Sequence, residues 1–231
     1  MEQCDIVVIG AGFAGMYAIH RLRKHYKVAC FEAGDGVGGT WYWNRYPGAR
    51  VDVESVQYSY GFDNDLQQEW NWSEHSSAQP DLERYANHVA DRFNLCEFIR
   101  LSNPVRSMRF DETENRWHVQ SAKGDHVACR YVIAATGPLY ASHKPEWPGQ
   151  EEFKGRVLHT TEWPREGIDF AAGFAPNPAP TCQFGVQWQQ YRRQGEQVHG
   201  LCRRLQSLYP GLCGRRGRGL SRLRQAMKKG R

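Results

Sequence analysis

The sequence predicts an α/β fold, a doubly wound sheet with an antiparallel β-meander inserted in it, followed by a poorly structured basic tail. Three observations predict it. Residues 5–9, DIVVI, form a short β-branched run that leads straight into the glycine-rich turn GAGFAG and a helical stretch. A second apolar run, KVACFE, ends at Glu32 and closes a βαβ unit of about 30 residues. Further on, segments 105–112, 116–122, 126–130 and 131–137 read as successive strands, with turns at TEN and AKGD.

Each element has its own physical reason. A strand buried on both faces reads as a continuous apolar run, and DIVVI and KVACFE do so. Met16, Ile19 and Leu22 recur at helical spacing within MYAIHRLRKHY. From Gly34 to Trp72 the chain is aromatic, glycine-rich and irregular, and a loop of that length is usually functional. Residues 80–95 return to helix: Pro80 and Asp81 suit a first turn, and Leu82, Tyr85, Val89 and Phe93 make an apolar stripe.

At 231 residues the chain can hold one full domain and part of another. The apolar run IVVIGAGFAG follows Glu2 and Asp5, lacks a basic leader and is too short to cross a bilayer, so a cytoplasmic protein is expected. Seven cysteines without a C-x-x-C pair argue for reduced thiols, against a disulfide framework and against zinc. The net charge of +5 conceals two unlike parts. Residues 171–231 carry 12 Lys and Arg against the single acid Glu196, which leaves 18 basic and 24 acidic residues in 1–170.

Gly10-x-Gly12-x-x-Gly15 follows a predicted strand and opens a predicted helix, the context that a dinucleotide fingerprint requires, and Phe13 within it is a cofactor-binding candidate beside the three glycines. Gly10 permits the tight turn, Gly12 lets backbone approach a pyrophosphate, and Gly15 brings helix and strand together. The helix N-terminus then points free N–H groups at the phosphates. Glu32, about 20 residues on, is placed to accept hydrogen bonds from ribose hydroxyls and to repel a 2′-phosphate, so the first nucleotide is FAD or NAD. The later glycines of GDGVGGTW and the strand end AATG, with Gly137, add close backbone approaches that fit FAD better than NAD. The fold is therefore read as a Rossmann-like FAD-binding sheet.

The stretch GGTWYWNRYPGARVD, with Gly38, Gly39, Trp41, Tyr46, Pro47, Gly48 and Asp52, fills every fixed position of a motif of the type I Baeyer–Villiger monooxygenases. FKGRVLHTTEWP, with Phe153, Gly155, His159, Trp163 and Pro164, matches that family's second fingerprint. Over residues 4 to 170 the chain resembles this family within the flavin-containing monooxygenases, above all members acting on phenylacetone, steroids and large cyclic ketones. The resemblance implies FAD reduced by NADPH, reaction with O2 to a peroxyflavin, and oxidation of a ketone to an ester or lactone. It implies that Glu32 holds the FAD ribose, that Thr40, Trp41, Tyr42 and Trp43 line the flavin side of the loop behind the cofactor-binding Gly39, and that Tyr58 and Val105 contact FAD further out. Asp52 is the implied catalytic residue, beside the flavin and paired in the family with an arginine; Arg50, Val51 and Asp52 also approach the nicotinamide. His159 belongs to the implied hinge between FAD and NADPH domains, and is neither a proton carrier nor a metal ligand.

Three parts follow: an FAD-binding domain over 1–152, a fingerprint-bearing linker over 153–170, and a basic tail over 171–231. The tail has no isoleucine, only Val186 and Val198 as valines, and no second GxGxxG. It reads as a frame-shifted stretch and not a native domain, which the other frames after codon 170 test by restoring or failing to restore V-x-V-I-G-x-G. The chain is accordingly expected to bind FAD weakly and to be weakly active or inactive, with the ketone contacts lying elsewhere. The alternatives are an FAD-binding module without oxygenase activity, and a basic arm for nucleic acid or acidic membrane. Against the second stands the absence of any reader motif beside the charge.

Overall fold

Ile6–Ile9 (β2) alternates its side chains between two different layers, and that alternation organises the molecule. The computed structural model describes residues 1–141, 149, 152 and 158–168. β2 lies between Val28–Phe31 (β3) and Tyr131–Ala134 (β8), parallel to both, with Ile6 opposite Val28 and Tyr131. Ile99–Arg100 (β4) adds to β3, giving the parallel order β4-β3-β2-β8. Ile6 and Val8 face a cluster built from Met16, Ile19, Tyr85 and Val89 on the helices. Val7 faces the other way, onto Val119, Val127 and Cys129.

The helical layer consists of Phe13–Leu22 (α1) and Gln79–Arg92 (α4). α4 starts with Pro80 in its first turn and buries Leu82, Tyr85 and Val89 of the expected stripe together with Ala86 and Ala90, while Phe93 falls at the C-cap and is half-buried. Burying each large side chain contributes roughly 1.5–3 kcal/mol. The helix stops at Arg92, three residues earlier than the pattern suggests, because Asn94 turns left-handed at φ 49° and starts a 3-10 turn over Leu95–Phe98.

The opposite layer is the meander: Val105–Asp111 (β5), Arg116–Ser121 (β6) and His126–Cys129 (β7), paired antiparallel. The insert therefore packs on the face of the parallel sheet that carries Val7, Ala29 and Phe31. Glu2–Gln3 (β1) joins it in parallel to β7, a pairing too short to leave a sequence pattern. Arg100 ties the layers by ion pairs to Glu2 at 2.6 Å and Asp125 at 2.9 Å.

The stretch read as irregular, Gly34 to Trp72, holds three short helical pieces: Thr40–Trp43 (α2), a 3-10 turn over Ser55–Tyr58, and Asn64–Glu69 (α3). Their periods are too short to register against the aromatic content. α3 has a side-chain cap, the Asp63 carboxylate accepting from the Leu66 N–H. No described helix is long and apolar enough to cross a membrane. Cys4, Cys30, Cys96 and Cys129 are free thiols. The basic tail and its expected frame shift lie outside the described residues.

Candidate dinucleotide site

The site is built where β2 ends and α1 begins. Gly10 has φ +99°, and a Cβ there would stand 2.5 Å from the carbonyl oxygen of Ala135. A Cβ on Gly15 would collide with the carbonyl oxygen of Gly10. Both glycines are thus fixed by sterics, one against the end of β8 and one against the turn. Gly12 caps α1 without a side chain, and the first turn contains no acid. The leading N–H groups of a ten-residue helix are therefore not satisfied by any cap side chain, and they favour an anion.

Glu32 is 5% exposed and fixes the rim of this turn. Its Oε2 accepts from the Ala11 N–H at 2.6 Å and its Oε1 from the Gly34 N–H at 2.8 Å. Each carboxylate oxygen has a second lone pair, which suits a pair of adjacent ribose hydroxyls. The Glu32 backbone is held as well, by the Arg100 carbonyl and the Asn103 N–H.

A second glycine pair brings the following loop onto the first turn. The Gly38 N–H donates to the Ala11 carbonyl at 3.0 Å. Gly39, at φ +56°, caps α2, and a Cβ on it would lie 2.8 Å from the Gly12 Cα. This leaves a backbone-lined cradle above the α1 terminus that any side chain would fill. From α2, Trp41 packs edge-on to Tyr58 at 5.7 Å, and Tyr58 packs edge-on to Phe13 at 5.8 Å. Burial, and after it the Asp52 charge, raises the Tyr58 hydroxyl above its ordinary pKa.

The structure thus brings Gly10, Gly12, Phe13, Gly15, Glu32, Gly39, Trp41 and Tyr58 together, with Thr40 opening α2 beside them. Tyr42 and Trp43 take other partners. The Tyr42 ring covers Gly34 and Gly36, and Trp43 packs edge-on to Tyr140 at 4.9 Å. Arg50 donates to Glu74 at 2.9 Å and to the Ser76 carbonyl at 2.7 Å, while buried Val51 bonds Ser77. Asp52 is exposed and has no hydrogen bond or ion pair with a described residue. Val105 opens β5 and packs on the Cys4–Val7 cluster, two residues past the Asn103 that holds Glu32. Gly137 has φ +66° with open space around it; the close approach in that strand end falls at Ala135.

In the fingerprint segment, His159 Nδ1 caps the short turn Thr160–Glu162, accepting from the Thr161 N–H at 3.3 Å and lying 2.7 Å from the Thr161 hydroxyl. Trp163 and Pro164 are half-buried. Phe153 and Gly155 lie outside the described residues. Among the described residues no three or more His, Cys, Asp or Glu side chains are grouped to hold a metal. Sequence reasoning missed the hold that the Ala11, Gly34 and Asn103 N–H groups have on Glu32, because any residue type supplies a backbone N–H.

The fold and this cradle define a dinucleotide-binding domain. Residues 8–70 match the model of an NAD(P)-binding Rossmann-like domain. Over 168 residues the chain is 46% identical to an acetone monooxygenase (methyl acetate-forming) of Gordonia sp., covering 72% of this chain and 32% of that protein. It is 40% identical over 169 residues to a Baeyer–Villiger monooxygenase of Pseudooceanicola batsensis, covering 72% and 31%. A solved oxidized steroid monooxygenase bound to NADP superimposes with a TM-score of 0.69 at 51% identity, covering 73% of this chain and 32% of that one. Over its N-terminal portion the chain is similar to the Baeyer–Villiger monooxygenases. It spans about a third of the length of the relatives it matches.

Proposed function

We propose that residues 1–152 are the FAD-binding domain, and 153–170 the hinge segment, of a flavoprotein monooxygenase that uses NADPH and O2 to oxidise a ketone to an ester or lactone. The observation that carries this reading is the Gly12–Gly39 cradle over an uncapped helix terminus, with the Glu32 carboxylate on its rim. These groups fit FAD. The α1 N–H groups receive the diphosphate, Glu32 receives the ribose diol, and the Trp41–Tyr58–Phe13 edge forms an apolar wall beside them.

When bound, the flavin supplies the oxidation chemistry. What this chain's own residues contribute is placement and electrostatics. Gly38 and Gly39 hold α2 against the phosphate turn, and buried Trp41 and Val51 exclude water from that side. Asp52 supplies a negative charge at the solvent edge of the same wall, next to Tyr58. An arginine partner for Asp52, expected from the family, would balance that charge.

FAD titration of the purified chain, followed by flavin absorbance and fluorescence, tests the reading. Saturable binding that Glu32→Gln weakens at least ten-fold is the expected result. A chain that ignores FAD but takes up NAD at the same turn would overturn it. NADPH consumption with and without a ketone then separates an oxygenase from a flavin-binding module.

A further inference from the structure

Asp35, in the loop between β3 and α2, meets Arg165, the residue that follows Pro164 of the fingerprint segment. The contact is fork to fork: Arg165 Nη1 donates to Asp35 Oδ2 at 3.0 Å and Nη2 to Oδ1 at 2.8 Å. Arg165 also reaches the Tyr42 hydroxyl, and its guanidinium carbon lies 5.2 Å from the centre of the Tyr42 ring. The Tyr42 hydroxyl donates to Asp35 Oδ1 at 2.5 Å and accepts from the Asp35 N–H at 3.0 Å. Tyr42 is itself fixed. Gly34 and Gly36 lie under its ring, and a Cβ on Gly36 would come within 3.0 Å of it. The Arg45 guanidinium carbon stands 4.9 Å from the ring centre, and Arg45 Nε–H donates to the Tyr42 carbonyl at 2.9 Å.

These side-chain contacts involve neither Glu32 nor the Gly12–Gly39 pair, yet they join the hinge segment to the helical turn that carries Trp41. We propose that Asp35, Tyr42 and Arg165 form an ionic clasp that docks residues 158–168 onto α2, and that opening the clasp frees this segment to move. The docking stands on the contacts alone; its value for domain motion rests on the hinge reading given above. Arg165 is here a positioning residue, acting through Tyr42 on the placement of Trp41.

The strength of the clasp suits such a role. Asp35 and Arg165 are 59% and 54% exposed, and an exposed ion pair by itself contributes little. The bidentate geometry and the aromatic face add to it, so the contact biases the segment without locking it. The Arg165 and Tyr42 hydrogen bonds hold the Asp35 carboxyl at about 2, so the charge of the clasp persists throughout the neutral range. Exposure also makes the contact sensitive to salt.

Amide hydrogen exchange of the whole chain, read by mass spectrometry, tests the clasp. The probes are the hydrogen-bonded amides of Thr161, Glu162 and Gly167. Arg165→Gln and Asp35→Asn should each speed exchange over 158–168 by about two- to five-fold, the scale of a well-formed surface pair. The double variant should be no faster than either single one, Arg165→Lys should retain part of the protection, and 1 M KCl, roughly a 3 Å screening length, should reproduce the effect in the unmodified chain. Unchanged exchange in Arg165→Gln, or strictly additive effects of the two substitutions, would overturn the proposal. The FAD titration reports separately: failure to bind flavin sinks the functional reading and leaves the exchange result intact.

Discussion

Gly12 and Gly39, 27 positions apart, face each other so closely that a Cβ on Gly39 would sit 2.8 Å from the Gly12 Cα. The phosphate turn and the aromatic loop therefore meet through bare backbone, and Gly39 also holds φ +56°. Gly39→Ala must push the two loops apart or relax α2. The expected cost is about 1–3 kcal/mol of stability and at least a ten-fold loss of FAD affinity. Gly61→Ala is the control, since a Cβ there comes no closer than 3.9 Å to the Gln67 side chain. Urea denaturation and flavin titration of the two variants check the difference. Equal behaviour would remove the steric argument.

Glu32 makes a sharper test, because a Gln of the same shape must present an NH2 group to one of two backbone donors. Whichever way the amide turns, it opposes the Ala11 or the Gly34 N–H and leaves that buried donor unpaired. Such a loss costs about 1–3 kcal/mol. Glu32→Gln should thus destabilise the chain even with no nucleotide present. If only FAD affinity falls, Glu32 serves the ligand and not the loop.

How much of this was legible in the sequence depends on whether a residue type or a backbone group does the work. Gly10, Gly12, Gly15 and Glu32 announce themselves because only those types satisfy their positions. The stripe Leu82–Tyr85–Val89 shows because burial imposes helical spacing. The N–H groups of Ala11, Gly34 and Asn103 carry no type signal, so the grip on Glu32 was invisible. The resemblance implies Tyr42 and Trp43 on the flavin side of the loop, and in the structure their rings lie against Gly34 and Gly36 and against Tyr140. A helical turn of four residues points successive side chains in different directions, and a linear motif does not record which.

Asp81 anchors the approach to α4. It is 4% exposed and accepts from the Ser73 N–H at 3.2 Å, the Ser73 hydroxyl at 2.9 Å and the Ser77 hydroxyl at 2.8 Å, with Arg84 at 2.5 Å. Burial alone would raise its carboxyl, but the hydrogen bonds from Arg84, Ser77 and Ser73 outweigh that and hold it below the usual range. Asp81→Ala leaves several of these donors unpaired, and a loss of roughly 2–4 kcal/mol is expected. Because its folded pKa is depressed, Asp81 contributes fully above the ordinary carboxylate pKa, and that contribution is lost as pH falls through the folded value. The acid limb of a stability–pH curve should therefore be shallower in Asp81→Ala than in the parent.

His20 gives a pH effect nearer neutrality. Its ring stacks on Phe62 at 4.1 Å and meets Phe93 edge-on at 4.7 Å. Its Nδ1 is buried without a hydrogen-bond partner among the described residues. Burial, then the charges of Arg23, Lys24 and Arg21, lowers its pKa, with Asp63 opposing. In the unfolded chain an imidazole titrates near 6.5. Between the folded value and that one, the unfolded state binds more protons, so stability rises with pH. The contribution is complete above about pH 6.5 and is lost as pH falls through the folded pKa. Urea midpoints of the parent and His20→Gln, measured from pH 7.5 down to 5, should converge on acidification, because Gln carries no proton to gain. Parallel curves would mean that the ring is free to charge in place, and that the Phe62–Phe93 packing imposes no penalty on the imidazolium.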